Sequence, residues 1–204
     1  MFAPRRIWAH LKELRHYIAF SFVILFAGMV VGATNPALDS FIKGQMAGIR
    51  EMAQSIEASD NPTLLFITFI FLNNAIKSIL VLYLGIFLGI VPIVFLAING
   101  MMIGYLVSKA AEQSGGELFT LVVKGLLPHG IIEIPAIIIA CAYGLRFGSI
   151  MFQGIGALAL RRPGWSGSFE LFAARTLPAM VLIVAMLIIA AVIESTFTVW
   201  LLDK

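Results

Sequence analysis

Charge is scarce in this chain. Only 12% of its 204 residues are Asp, Glu, Lys or Arg, about half of the roughly 25% an average soluble domain carries. Cysteine is scarcer: Cys141 is the sole one, which excludes an intrachain disulfide and a cysteine-based metal cluster. There are three histidines, His10, His16 and His129. No HExxH, no Gly-x-Ser-x-Gly and no phosphate-cradling glycine loop occurs, which removes the motif-bearing zinc proteases, the serine hydrolases with a nucleophile elbow and the P-loop enzymes. Nothing reads as a nucleic-acid surface, so no nucleic-acid partner is expected.

What the chain has instead is hydrocarbon. Hydrophobic residues make up 60% of it, and the mean hydropathy is +0.99. Those values belong to a polytopic membrane protein. The expected class is all-α: a single membrane domain over 1–204, built as a transmembrane bundle of about five spans, because each crossing needs about 20 apolar residues. The spans are predicted near 17–34, 63–84, 90–109, 125–147 and 176–198. The run from 63 to 110 is too long for one helix, and Gly85, Gly89 and Pro92 break it. Pro178 is placed in the first turn of span five. The first span follows Arg5, Arg6, Lys12 and Arg15 and is read as an uncleaved span, being long for a signal peptide.

Five spans put the termini on opposite sides. Lys and Arg favour the cytoplasmic side. The N-terminus and the segment 148–175, read as a basic cytoplasmic loop with Arg161, Arg162 and Arg175 after Arg146, share one side. The other side carries Asp39, Glu51, Glu57 and Asp60 against Lys43 and Arg50. The chain is therefore expected in the cytoplasmic (inner) membrane, N-terminus inside and C-terminus outside. Trp8 and Trp165 mark the inner boundary and Trp200 the outer. After span one, Leu38, Phe41, Ile42, Met46, Ile49, Met52, Ala53 and Ile56 recur at three- and four-residue steps. They predict an external amphipathic helix over 38–56, a lid on the bundle or a partner contact.

Four Gly-xxx-Gly spacings, Gly28/Gly32, Gly85/Gly89, Gly100/Gly104 and Gly144/Gly148, permit close backbone approach. They are read as packing within the bundle, with a homo-oligomer interface as the alternative.

Polar groups at membrane depth are few and cost roughly 2.5–3.5 kcal/mol each when charged. Asn73, Asn74 and Lys77 stand in span two, Asn99 in span three, His129 and Glu133 in span four, and Glu194 near the end of span five. His129 and Glu133, four apart, share a helix face. Depth favours Glu133 with Asn73 or Asn74 and Asn99, and Lys77 lies closer to the inner side. Pro128 and Pro135 bracket the pair in LLPHGIIEIPA. Each proline leaves a carbonyl unpaired if helix precedes it, and such carbonyls must face protein or water. A broken or re-entrant start to span four beside a polar cavity is predicted, with Gly130 admitting a close backbone contact. One His and one Glu are half of a metal site, since zinc takes three or four protein ligands, so no metal, cofactor or catalytic residue is assigned.

FLNNAIKS, LAINGMMIGY and above all LLPHGIIEIPA followed by GLRFG resemble the stage II sporulation protein M family of integral membrane proteins, over residues from about 10 to 202. Asn74, Asn99, Gly100, Pro128, His129, Gly130, Glu133, Pro135 and Ala136 match the pattern. The resemblance implies a five-span protein that holds an envelope complex together, in spore formers with peptidoglycan-degrading partners; the expected partners are the lipid bilayer and envelope proteins such as peptidoglycan hydrolases or an ATPase-containing system. The expected function is a non-catalytic scaffold or subunit. The alternatives are a transporter, channel or permease-like subunit using the intramembrane polar residues, and an intramembrane hydrolase.

Overall fold

A computed structural model of the protein describes residues 3–58, 60–112, 117–160 and 165–202. Among them there is helix and no strand. The elements are α1 (Pro4–Glu13), α2 (Arg15–Thr34), a 3-10 turn (Pro36–Leu38), α3 (Asp39–Glu57), α4 (Pro62–Leu84), α5 (Ile90–Glu112), α6 (Glu117–Phe119), a π-helical stretch (Thr120–Leu126), α7 (Leu127–Ala159), α8 (Trp165–Ile193), a second π-helical stretch (Glu194–Thr198) and α9 (Val199–Leu202). Five helical stretches are long and apolar enough to cross a membrane, and the protein is an all-α transmembrane bundle.

The boundaries follow from local chemistry. Asn35 precedes Pro36, which disfavours helix at the asparagine, and α2 stops at Thr34. The Asn35 side chain accepts a hydrogen bond from the Ala37 N–H at 3.0 Å and starts the next turn. Pro62 opens α4 in its first turn. Between α4 and α5 the chain reverses through Gly85–Gly89, with Leu88 at φ 55° and Gly89 at φ 77°. A left-handed leucine is strained, and packing holds it: a Cβ on Gly148 of α7 would collide with the backbone of Leu88 and Gly89.

The glycine pairs act within the chain. Gly28 and Gly32 of α2 face Gly100 and Gly104 of α5, and a Cβ on Gly28 would lie 2.6 Å from the Ala97 carbonyl oxygen. Gly144 and Gly148 of α7 receive the turn after α4 in the same way. Such contacts replace the hydrophobic force that helices lack inside lipid. The central core lies between α4, α7 and α8, where Leu82, Ala136, Ala140, Tyr143, Phe147, Ile183 and Leu187 are buried. Phe22, Leu80, Phe87 and Val181 stand exposed on the outer surface, as lipid-facing residues do.

Spans four and five are longer than their sequence expectations. Thr120–Ala159 forms one helical stretch of 40 residues, about 60 Å at 1.5 Å per residue, twice a hydrocarbon core of about 30 Å. The segment 148–175, expected as a loop, is instead helical over 148–159 and 165–175; Arg161 and Arg162 lie outside the described residues. α7 and α8 pack against each other along these extensions, where a Cβ on Gly154 would meet the Trp165 ring at 3.0 Å. Pro178 accordingly sits inside α8 and not in a first turn. Pro135 also lies inside a continuous α7, so span four is not re-entrant. The irregularity falls just upstream, in the π-helical Thr120–Leu126; Pro128 opens α7 but has helix before it, so its missing N–H leaves a carbonyl of the preceding turn without that donor.

The N-terminal helix α1 closes this end. His10 is buried between Tyr143 and Phe172, with ring centroids 5.2 and 5.8 Å away. Its Nδ1 and the Tyr143 hydroxyl are 2.7 Å apart. Arg175 donates to Glu13 at 3.0 Å and Arg146 to the Tyr17 hydroxyl at 3.2 Å. At the opposite end α3 buries Ile42 and leaves Phe41 and Met52 exposed. Tyr105 donates to Asp39 at 2.6 Å, tying the start of α3 to α5.

Candidate functional site

Four elements deliver polar side chains to one place about halfway along α4 and α5. Asn73 and Asn74 come from α4, Asn99 from α5, His129 and Glu133 from α7, and Glu194 from the π-helical stretch after α8. Asn74 Nδ2 donates to Glu133 Oε1 at 3.0 Å, and Asn73 Nδ2 donates to Asn74 Oδ1 at 3.3 Å. The chain of two amides leads from the α4 face to the carboxylate and orients it. Asn99 Nδ2 donates to the Phe95 carbonyl of its own helix at 2.8 Å. Asn99 therefore does not bond Glu133 directly, but it lines the same cavity.

That cavity has a volume of about 310 Å³ and is walled by Asn99, Met102, Leu126, His129, Glu133 and Glu194 among others. One ligand atom from each of His129, Glu133 and Glu194 lies within 4.8 Å of the other two. All three residues are half-buried. His129 Nδ1 is buried without a hydrogen-bond partner among the described residues, as are the hydroxyls of Ser21, Ser78, Ser195 and Thr198. Unpaired polar atoms in a bundle core are uncommon, and three of these five belong to the cavity helices next to Glu133 and Glu194. Both π-helical stretches adjoin the site: Leu126 ends one and Glu194 begins the other. Such turns concentrate where a helix trades regular bonding for side-chain placement.

Two of the candidate residues fall elsewhere in role. Lys77 is exposed, and among the described residues no ion pair joins it to Glu133. It stands one turn past Asn73, at the surface of α4. Gly130 is buried, but a Cβ there would meet only Ile134 Cδ1 at 3.6 Å, an ordinary contact. It makes no close backbone approach; it thins the cavity wall beside His129. Pro135 frees the Ile131 carbonyl within α7 without ending the helix.

Glu194, seen in the sequence near the end of span five, was not placed in the network with Glu133. It closes the most apolar helix of the chain, and the polar run ESTFT was the available signal. The separation of 61 residues from Glu133 hides the pairing. With it, the half metal site seen in the sequence gains a third residue of ligating type.

Away from this site, three ion pairs stand at the surface among the described residues. Lys43 holds the Asp39 carboxylate at 2.6 Å, and with the Tyr105 hydroxyl keeps the Asp39 pKa below its ordinary value. On the other face, burial first, then the nearby Arg175 cation, lowers the His10 pKa.

The family model described as Stage II sporulation protein M matches residues 18–199. An uncharacterized protein of the archaeon Methanocaldococcus jannaschii is 30% identical over 122 residues, 60% of this chain and 52% of that protein. The chain thus spans about half the length of this curated relative. No solved structure matches.

Proposed function

The chain belongs to the stage II sporulation protein M family, and on that premise we propose that it is a non-catalytic scaffold or membrane subunit of a cell-envelope complex, set in the cytoplasmic membrane with its N-terminus inside. The observation that carries this reading is the hairpin of α7 and α8 beyond the bundle. Phe152, Ile155 and Leu158 there are 70%, 58% and 70% exposed, on a helix that outruns the hydrocarbon by roughly 20 Å. An apolar stripe held outside the lipid is a docking surface for another protein. At the other end, α3 offers Phe41 and Met52 from a helix fastened at Asp39. Envelope proteins, a peptidoglycan hydrolase or an ATPase-containing assembly, are the partners of this reading.

Arg6, Arg15, Arg146 and Arg175 lie on the α1 face, which supports the cytoplasmic assignment. The cavity around Glu133 supports a second reading, a permease-like subunit. Both are tested together. Crosslinking in native membranes followed by purification should recover stoichiometric partners, and Phe152→Glu with Leu158→Glu should release them while the purified protein keeps its helix content. A chain that purifies alone and passes cations across proteoliposomes would reverse the order of the two readings.

A further inference from the structure

We propose that His129, Glu133 and Glu194 together bind one first-row divalent metal cation at membrane depth. The proposal is independent of the scaffold reading, since a structural metal and a transported one use the same donors.

Charge makes the first argument. Glu133 and Glu194 place two carboxylates within 4.8 Å of each other, well inside their helical stretches. Excess negative charge in such surroundings must be neutralised, by a cation or by protons. Among the described residues no Lys or Arg pairs with either, and Lys77 is exposed. A dication cancels the two charges in one step.

Geometry makes the second. Tetrahedral ligands at about 2.0–2.2 Å from a metal stand roughly 3.3–3.6 Å apart. The three donor atoms are within 4.8 Å of one another. Rotating glutamate side chains, about 1 Å at their tips, closes that difference without moving a helix. His129 and Glu133 come from successive turns of α7, and Glu194 faces them from the π-helical turn, so the set straddles two helices and gives a cation something to clamp.

The surroundings make the third. Metal-binding carboxylates are held by a second hydrogen bond that fixes their orientation, and Asn74 supplies it to Glu133 at 3.0 Å, itself braced by Asn73. The His129 Nδ1 has no partner in a buried position, and metal ligation or a hydrogen bond to a metal-bound water would satisfy it. The cavity of about 310 Å³ beside the three donors leaves room for a fourth ligand from solvent. One nitrogen and two carboxylate oxygens suit Zn²⁺, Mn²⁺ or Fe²⁺, and no sulfur donor is among the three to favour Cu⁺; Cys141, two turns further along α7, is fully buried in a core cluster with Leu25, Val81 and Leu96.

The test uses the full chain purified in detergent, stripped with chelator, then given Zn²⁺, Mn²⁺ or Co²⁺ singly. About one ion per chain should remain after desalting, and Co²⁺ should develop visible d–d bands. Glu194→Gln and His129→Gln should each weaken retention at least tenfold at unchanged helix content, and Glu112→Gln, on the surface, should leave it unchanged. Retention of equal metal in Glu194→Gln and in wild type overturns the proposal. So does a wild-type protein that gives no Co²⁺ bands and no stoichiometric ion, the result of carboxyls neutralised by protons; that wild-type measurement stands even if a variant fails to fold. A wild-type chain that retains one ion yet crosslinks to no partner in native membranes leaves this proposal intact and sinks the scaffold reading alone.

Discussion

At the scale of single residues, His10 couples the docking of α1 to pH. It is buried against Tyr143 and Phe172, and the charged groups facing it are Arg175, Glu13 and Arg146. Burial and the arginines favour the neutral ring, so its folded pKa lies below the ordinary 6.5. The unfolded chain then takes up its proton first as pH falls. Docking of α1 is at full strength above about pH 6.5 and weakens as pH drops from there through the depressed folded value. Limited proteolysis of α1 should accelerate over that interval, and His10→Phe, which keeps the aromatic packing, should flatten the dependence. An unchanged profile in the variant assigns the acid sensitivity to other groups. The same scale shows why the polar cluster was only partly readable. Asn74 and Glu133 could be matched by depth, because both spans are apolar enough to locate. Lys77 could not be excluded from sequence, since one residue of helical rotation, about 100°, decides which way a side chain faces.

At the scale of elements, the glycines separate contact from mere spacing. A Cβ on Gly104 would strike the Met29 backbone, and one on Gly100 the Leu25 carbonyl, so neither helix of the α2/α5 pair can retreat without losing the other contacts. Gly100→Val should destabilise the bundle by roughly 2–3 kcal/mol or prevent its assembly. Gly44→Ala, on α3 with nothing within 4 Å, should be neutral or stabilise by up to about 1 kcal/mol. Unfolding in mixed micelles by SDS reads both, and equal effects at the two positions would refute the close-packed α2/α5 seam. Element type and start were legible because proline and glycine punctuate the chain: Asn35-Pro36 and the Gly85–Gly89 turn fall where the structure has breaks. The reach of α7 was not. Beyond the hydrocarbon a helix needs only a partner, and Gly154, with a Cβ that would meet the Trp165 ring at 3.0 Å, shows that partner to be α8. No local pattern in 148–159 announces a residue on the returning helix.

At the scale of the molecule, five crossings force the two ends to opposite sides, and only charge chooses between the two placements. The hairpin of α7 and α8 shares its face with α1 and the arginines; α3 shares the other with Glu51 and Asp60. Because Lys and Arg near the membrane resist translocation, α3 should lie outside the cell and the hairpin within it. Cys141 is fully buried, so the native chain contributes little thiol background. A membrane-impermeant maleimide on intact spheroplasts should label Gln54→Cys on α3 and spare Ser166→Cys on the hairpin until the membrane is opened. Labelling only Ser166→Cys would invert the protein, moving the hairpin's docking stripe to the external side and leaving cytoplasmic partners only the α3 face. The metal site is unaffected by inversion in its chemistry but not in its supply, since the side from which the cavity fills would change with it.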